Sequence, residues 1–191
     1  MKKISILFIF LMLTGCGAPR WIYEDVKPLI GSPLPMAVKI DGVPMIKQDY
    51  NGCTPASLAM VFGYYGRNIN QQTISRHLQE AYGSSVKAIE PYVRSQGFLT
   101  YEFFDSRKGK AEIKTLLASK FPVIVAGQAR MENENHMLVL VGYDQNKATF
   151  VVHDPSLTGI LGYIAYDRFN EFHSAQSQYI KFYGLVMKPK N

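Results

Sequence analysis

The chain has 191 residues, 47% of them hydrophobic and 13% aromatic. That suffices for one ordinary domain with a full core plus a leader, and it calls for no metal or disulfide staple. Taking Lys2 and Lys3 away with the leader lowers the 21 basic residues to 19 against 15 acidic, or +4, and the excess is scattered, with no run long enough to mark a nucleic-acid tail.

The first twenty residues are not expected to belong to the fold. Lys2-Lys3 form a positive head, and Ile4 to Leu13 an apolar run of ten residues, too short to span a bilayer as a mature helix. Small residues follow, ending in Leu13-Thr14-Gly15-Cys16. This resembles the lipobox of bacterial lipoproteins, which implies a signal peptide over 1–16, cleavage before Cys16 and acylation of that cysteine. Two or three acyl chains anchor a protein stably where one binds only marginally. The expected location is therefore the cell envelope, lipid-anchored at a membrane and facing the extracytoplasmic side. Gly17 stands where an inner-membrane retention signal has Asp, which favours the outer membrane if there are two. Residues 17–43 carry Pro19, Pro28, Pro33 and Pro35 without a sustained period, and read as a tether docked by Trp21 and Tyr23. Lipid on Cys16 leaves Cys53 without a mate, since the chain has 2 cysteines; no disulfide can form within the domain over 44–191.

In that domain Leu58, Val61, Phe62 and Tyr65 recur at i, i+3, i+4 and i+7, a helical face stopped by Gly66. Asn70 can cap a second helix with Ile74, Leu78 and Tyr82 inward and Gly83 as its stop. A third helix is expected over 88–95, closed by Gly97, then a strand over 98–104 and a helix over 111–119. Short β-rich runs follow at 122–127, 137–143 and 149–153, with further candidates at 162–166 and 179–187. Helices first and strands second predict an α+β fold, with N-terminal helices packed on a C-terminal antiparallel sheet.

Cys53 opens the first of these helices, against the positive end of the helix dipole and beside free backbone N–H groups. Both favour thiolate over thiol, the form that acts as a nucleophile; the plain alternative is a small buried hydrophobe. A nucleophile needs a base. His77 lies on the polar side of the second helix, and His173 near the end of "YDRFNEFHS", a short surface helix. Asp144 to Lys147 form a turn-like tetrapeptide, so 137–143 and 149–153 should pair as a hairpin. A turn centred between Gln145 and Asn146 sets His136 nearly opposite Asp154, with opposed Cβ atoms roughly 5 Å apart. Such a carboxylate can fix the imidazole tautomer and stabilise the imidazolium. His153 points to the other face, and Asp144 lies at the turn, far from His136. Gln48, five residues before Cys53, can place its amide beside the same carbonyl as the Cys53 N–H, an oxyanion hole worth ~3 kcal/mol per donor.

The stretches "IKQDYNGCTPASLAMVFGYYG", "ENHMLVLVGYD" and "FVVHDPS" resemble, in that order, the motif blocks of C39-like peptidases, a branch of the papain-like cysteine proteases, over about residues 43–187. By that resemblance the fold is papain-like, Cys53 is the nucleophile, His136 the general base, Asp154 the orienting carboxylate and Gln48 the oxyanion donor. Relatives fused to exporters trim leader peptides after a double glycine. This sequence holds no P-loop, so that substrate is not carried over. Relatives usually have Gly directly after the cysteine, where this chain has Thr54. Its β-branched side chain is expected to narrow the backbone there and crowd the oxyanion pocket or the substrate, which lowers the expected efficiency and is the feature that favours a scaffold. The expected partner is a peptide or protein substrate, with no nucleic acid and no cofactor or metal, because Cys53, His136 and Asp154 lack the spacing of a ligand set. Two other functions remain open: a transamidase ending the same thioester on an amine, and a binding or assembly lipoprotein on a peptidase scaffold.

Overall fold

The computed structural model describes residues 19–29, 32–80, 83–84, 86–103, 109–129, 134–157, 161–174 and 183–190. The leader with Cys16, Tyr82, Phe104 and residues 179–182 of the last expected strand lie outside them. Helix α1 (Arg20–Val26) runs into a 3-10 turn at Lys27–Leu29 and is followed by strand β1 (Ala37–Lys39). Helices α2 (Cys53–Tyr64) and α3 (Gln71–Leu78) come next, then two-residue strands β2 (Gln79–Glu80) and β3 (Gly83–Ser84), helix α4 (Val86–Ser95), strand β4 (Phe98–Phe103) and helix α5 (Gly109–Ala118). The chain ends with β5 (Val123–Ala129), β6 (Glu134–Asp144), β7 (Thr149–His153), β8 (Gly162–Ala165), α6 (Tyr166–Ser174) and β9 (Gly184–Pro189).

The main sheet is ordered β4-β9-β5-β6-β7-β8, with β1 also paired to β6, and every pairing is antiparallel. β5 pairs with β6 as far as Leu140, and β1 then takes up the same edge at Gly142 to Asp144. Gly142 permits that approach, because a Cβ there would stand 2.2 Å from the Val38 carbonyl oxygen. All residues from Val123 to Gly127 and from Met137 to Tyr143 are buried. The centre of the sheet is thus covered on both faces, which is why these strands are continuous apolar runs without alternation. Helices α2 and α5 pack on β6, and α6 packs on β5.

Helix α2 is buried on more than the expected face. Leu58, Val61 and Phe62 are inward as predicted, but Ala56, Ala59 and Met60 on its other sides are at most 2% exposed. A helix apolar all round is an interior helix. Gly66, at φ 75°, lets the Arg67 N–H reach back to the Phe62 carbonyl at 2.9 Å and close the end.

Three expectations need correction. The second helix stops at Leu78, where Gln79–Glu80 turns to pair with Gly83–Ser84. The segment read as a tether is folded onto the domain over much of its length. Ile22 and Val26 of α1 are 1% exposed, and Trp21 meets Phe121 edge-on at 5.9 Å. The Lys188 ammonium bonds Asp25 and lies 5.2 Å from the centre of the Trp21 ring. Lastly, His173 is on a helix but not at the surface. Because α6 packs on β5, its Nδ1 lies 3.0 Å from the Ala126 carbonyl oxygen, its ring stacks on Phe169, and burial holds its pKa below the ordinary value.

Candidate active site

Gly52 caps α2 with no side chain to occupy the helix end, and its N–H closes a turn onto the Asp49 carbonyl at 2.9 Å. Cys53 is therefore the first helical residue, with nothing from the cap competing for the dipole.

His136 and Asp154 come together by a route the hairpin argument did not foresee. The β6–β7 register is Asp144↔Thr149 at the turn and Val139↔His153 at the open end, with a shift between Leu140 and Gly142. The turn residues are 145–148, one residue further along than a turn centred between Gln145 and Asn146. Continued unchanged, the turn-end register would put His136 and Asp154 on opposite faces. The bulge at Val141 adds one residue to β6 and restores a common face. Asp154, just beyond the end of β7, then falls opposite Leu138, diagonal to His136 and not directly across from it. His136 Nε2 lies 2.8 Å from Asp154 Oδ1, and the same oxygen accepts from the Ser156 N–H at 2.9 Å and the Ser156 hydroxyl at 2.7 Å.

With Nε2 committed to Asp154, Nδ1 is the ring atom left for the Cys53 sulfur, which is hydrogen-bonded to His136. Two further groups lie near enough to the sulfur to lower its pKa: the Met137 backbone N–H and the Thr54 hydroxyl. The first follows from strand geometry. Ala126 sends its N–H to Tyr183, so its cross-strand partner Met137 must point its own N–H away from β5. That direction opens beyond His153, where β7 has ended and Cys53 stands in place of a strand. Neither donor was anticipated from sequence. The Met137 contact was within reach of it, as the residue after a strand-borne His beside a shorter neighbouring strand. Thr54 is 7% exposed; the side chain that departs from the family pattern turns its hydroxyl to the sulfur.

The charges follow from these contacts. Burial pushes the Cys53 thiol up, but the hydrogen bond and charge of His136, the Met137 N–H and the Thr54 hydroxyl together hold it below its ordinary value. Burial draws His136 down, yet the bonds and charges of Asp154 and Cys53 carry it up to about 9. Asp154 stays below the usual carboxylate range despite burial, held there by His136 and Ser156. The lowered thiol and the raised imidazole shift the pair toward thiolate and imidazolium, with the Asp154 carboxylate behind it.

Gln48 arrives at the same place by its backbone, whose N–H bonds the Pro155 carbonyl at 2.8 Å, one residue past Asp154. Its Oε1 is buried with no hydrogen-bond partner among the described residues. His153, on the other face as its parity required, is 8% exposed, and burial lowers its pKa against an opposing pull from the Pro44 backbone. Asp144 caps its own turn, accepting from the Asn146 and Lys147 N–H groups at 3.0 and 3.2 Å. His77 is exposed, with Nδ1 2.8 Å from the Thr73 carbonyl oxygen. Gly127, opposite His136, has no room for a side chain, since a Cβ there would lie 2.3 Å from the Phe172 carbonyl oxygen. Among the described residues no group of three or more His, Cys, Asp or Glu is placed to hold a metal. A groove of about 260 Å³, lined by Asp49, Tyr50, Gly52, Pro55, Gln72 and Arg76 among others, opens beside the start of α2 but includes none of Cys53, His136 and Asp154.

The same architecture occurs in solved structures. A C39-like peptidase from Bacillus anthracis superposes with a TM-score of 0.66 at 16% identity, covering 82% of this chain and 100% of that one. A double glycine motif protease from an AMS/PCAT transporter, solved in complex with the leader peptide, gives 0.57 at 21%, covering 82% and 100%. Xylellain, a cysteine protease from Xylella fastidiosa, gives 0.59 at 10%, covering 88% and 89%. At these identities the likeness is one of fold. No curated protein matches the chain in sequence. Residues 40–187, most of the chain and all of the elements that carry Gln48, Cys53, His136 and Asp154, match the Peptidase_C39 like family, and the chain belongs to that family.

Proposed function

We propose that the protein is a lipid-anchored, extracytoplasmic cysteine peptidase that hydrolyses peptide bonds through Cys53, His136 and Asp154. The observation that carries this reading is His136, held between the Cys53 sulfur and the Asp154 carboxylate at 2.8 Å, with a raised pKa beside a lowered one. The Cys53 thiolate attacks the scissile carbonyl carbon, and the C–S bond forms as the carbonyl electron pair moves onto oxygen. The Cys53 N–H and the Gln48 amide bind that oxyanion. His136 gives its Nδ1 proton to the leaving amine as the C–N bond breaks, leaving a thioester. Neutral His136 then takes a proton from water, hydroxide adds to the thioester, and the thiolate leaves.

A relative solved with a leader peptide supports a peptide as the substrate class. The scaffold reading rests on Thr54, and a hydroxyl that donates to the sulfur weighs against it. Ending the thioester on an amine would use the same groups, and no feature of the site favours that route over water.

The reading is tested by the pH profile of peptide hydrolysis, with Cys53→Ala as the blank. The ion pair exists between the lowered pKa of Cys53 and the value of about 9 for His136. kcat/KM should therefore be bell-shaped, with its acid limb below the ordinary thiol range and its alkaline limb near 9. A single limb rising through pH 8–9 would mean an ordinary thiol and defeat the proposal. For the anchor, Cys16→Ser should shift the protein from the membrane fraction to the soluble one; retention at the membrane would count against acylation of Cys16.

A further inference from the structure

Gln71, the first residue of α3, is 8% exposed, and both ends of its carboxamide are used on one short piece of chain. Its Nε2 donates to the Lys47 carbonyl at 2.8 Å, and its Oε1 accepts from the Asp49 N–H at 3.0 Å. These two groups flank Gln48. One flat carboxamide can serve both only if they point the same way, as they do along an extended chain, where it pairs with the backbone as a neighbouring strand would. The N–H of Gln48 itself faces the opposite side, and there it bonds Pro155 at 2.8 Å. Both peptide planes adjoining residue 48 are thereby fixed, which sets the direction of its Cα–Cβ bond. The fixing reaches outward as well. Gln72 Nε2 holds the Asp49 carboxylate at 2.7 Å, and the Asp49 carbonyl receives the Gly52 N–H that leads into Cys53.

We propose that Gln71 is a positioning residue for the oxyanion hole: it holds Lys47 and Asp49 so that the side chain of Gln48 meets the oxygen of the reacting carbonyl. This rests on the peptidase reading above, and it adds a residue 23 positions beyond Gln48 in sequence, on the helix after the one that Cys53 opens. Gln71 touches no reacting atom, so its effect should appear where an oxyanion forms and nowhere else.

Two reactions of the same thiol separate these cases. Alkylation of Cys53 by iodoacetamide displaces iodide at a saturated carbon and makes no oxyanion. Acylation by p-nitrophenyl acetate passes through one and needs no peptide-side recognition. Gln71→Leu should lower kcat for the ester about tenfold with KM little changed, while the alkylation rate stays at the wild-type value. Gln71→Glu supplies a conservative rescue. Protonated, its carboxyl offers one donor and one acceptor and can replace the amide; ionised, it accepts only, and faces the Lys47 carbonyl without a proton. Its activity relative to wild type should therefore rise as pH falls, whereas the ratio for Gln71→Leu should be flat.

If Gln71→Leu hydrolyses the ester as wild type while Gln48→Ala is impaired, the positioning role is wrong and the peptidase reading stands. If Gln71→Leu loses ester hydrolysis and alkylation equally, and Gln71→Glu shows no recovery at low pH, Gln71 is merely structural and the proposal is overturned. If wild type does not exceed Cys53→Ala on the ester, the peptidase reading fails and this proposal with it.

Discussion

Replacing His136 with alanine should lower peptide hydrolysis by about 10²–10⁴-fold, the range for loss of a positioned acid–base group. It should also slow alkylation of Cys53 at pH 6. A free thiol of pKa ~8.5 is only about 0.3% thiolate there. In the wild type, the bond and charge of His136 are the foremost influences holding the sulfur ionised against burial. A more basic thiolate is also the better nucleophile, which recovers part of the loss. The Met137 N–H and the Thr54 hydroxyl remain on the sulfur in the variant. The net slowing of alkylation should then be about tenfold to a hundredfold at pH 6 and should vanish near pH 9, where both proteins carry thiolate. Slowing that is equal at all pH values would mean that His136 acts on access to the sulfur and not on its charge.

Gln48→Ala should produce the opposite pattern. The Gln48 Oε1 is buried without a hydrogen-bond partner among the described residues, while its N–H is held by Pro155 and its two neighbours by Gln71. Removing it should leave the fold and the thiol alone. What it takes away is one of two donors to an oxyanion, worth ~3 kcal/mol, or about 10²–10³-fold in kcat. Alkylation by iodoacetamide, which forms no oxyanion, should proceed at the wild-type rate. On the proposed reading the paired assays on the two variants divide the chemistry, with charge and proton transfer lost in one and stabilisation of the developing oxygen charge in the other. Equal loss of alkylation and hydrolysis in Gln48→Ala would remove the oxyanion role.

The site was legible to the extent that it depended on local pattern. Cys53 at a helix start needs only the apolar spacing that follows it, and the separation of His136 from His153 needs only the alternation of a strand. The contact between His136 and Asp154 was reached through a register that the structure revises. The bulge at Val141 decides that contact, and nothing in Leu-Val-Leu-Val-Gly distinguishes a bulged strand from a straight one. The bulge lies where β1 approaches Gly142 across a gap too narrow for a side chain, and β1 was itself illegible, because three residues show no period. The burial of His173 is likewise tertiary: a short helix with polar residues between its aromatics reads as surface until β5 is known to lie beneath it. Thr54 shows a different limit. Its β-branched side chain suggested crowding, but whether the hydroxyl obstructs or assists depends on where it points. Gln71 had no signal at all, since a polar residue in the first turn of a helix, next to the cap Asn70, is ordinary.

The central claim is that Cys53 is an ionised nucleophile at a pH where an ordinary cysteine is not. It is tested most directly by treating the purified native protein with limiting iodoacetamide at pH 6 and locating the adduct by mass spectrometry. The account predicts single-site modification of Cys53, faster than that of an ordinary thiol and rising with pH by clearly less than tenfold per unit from 6 to 8. A Cys53 that reacts only after denaturation, or whose rate climbs tenfold per pH unit over that range, would contradict it.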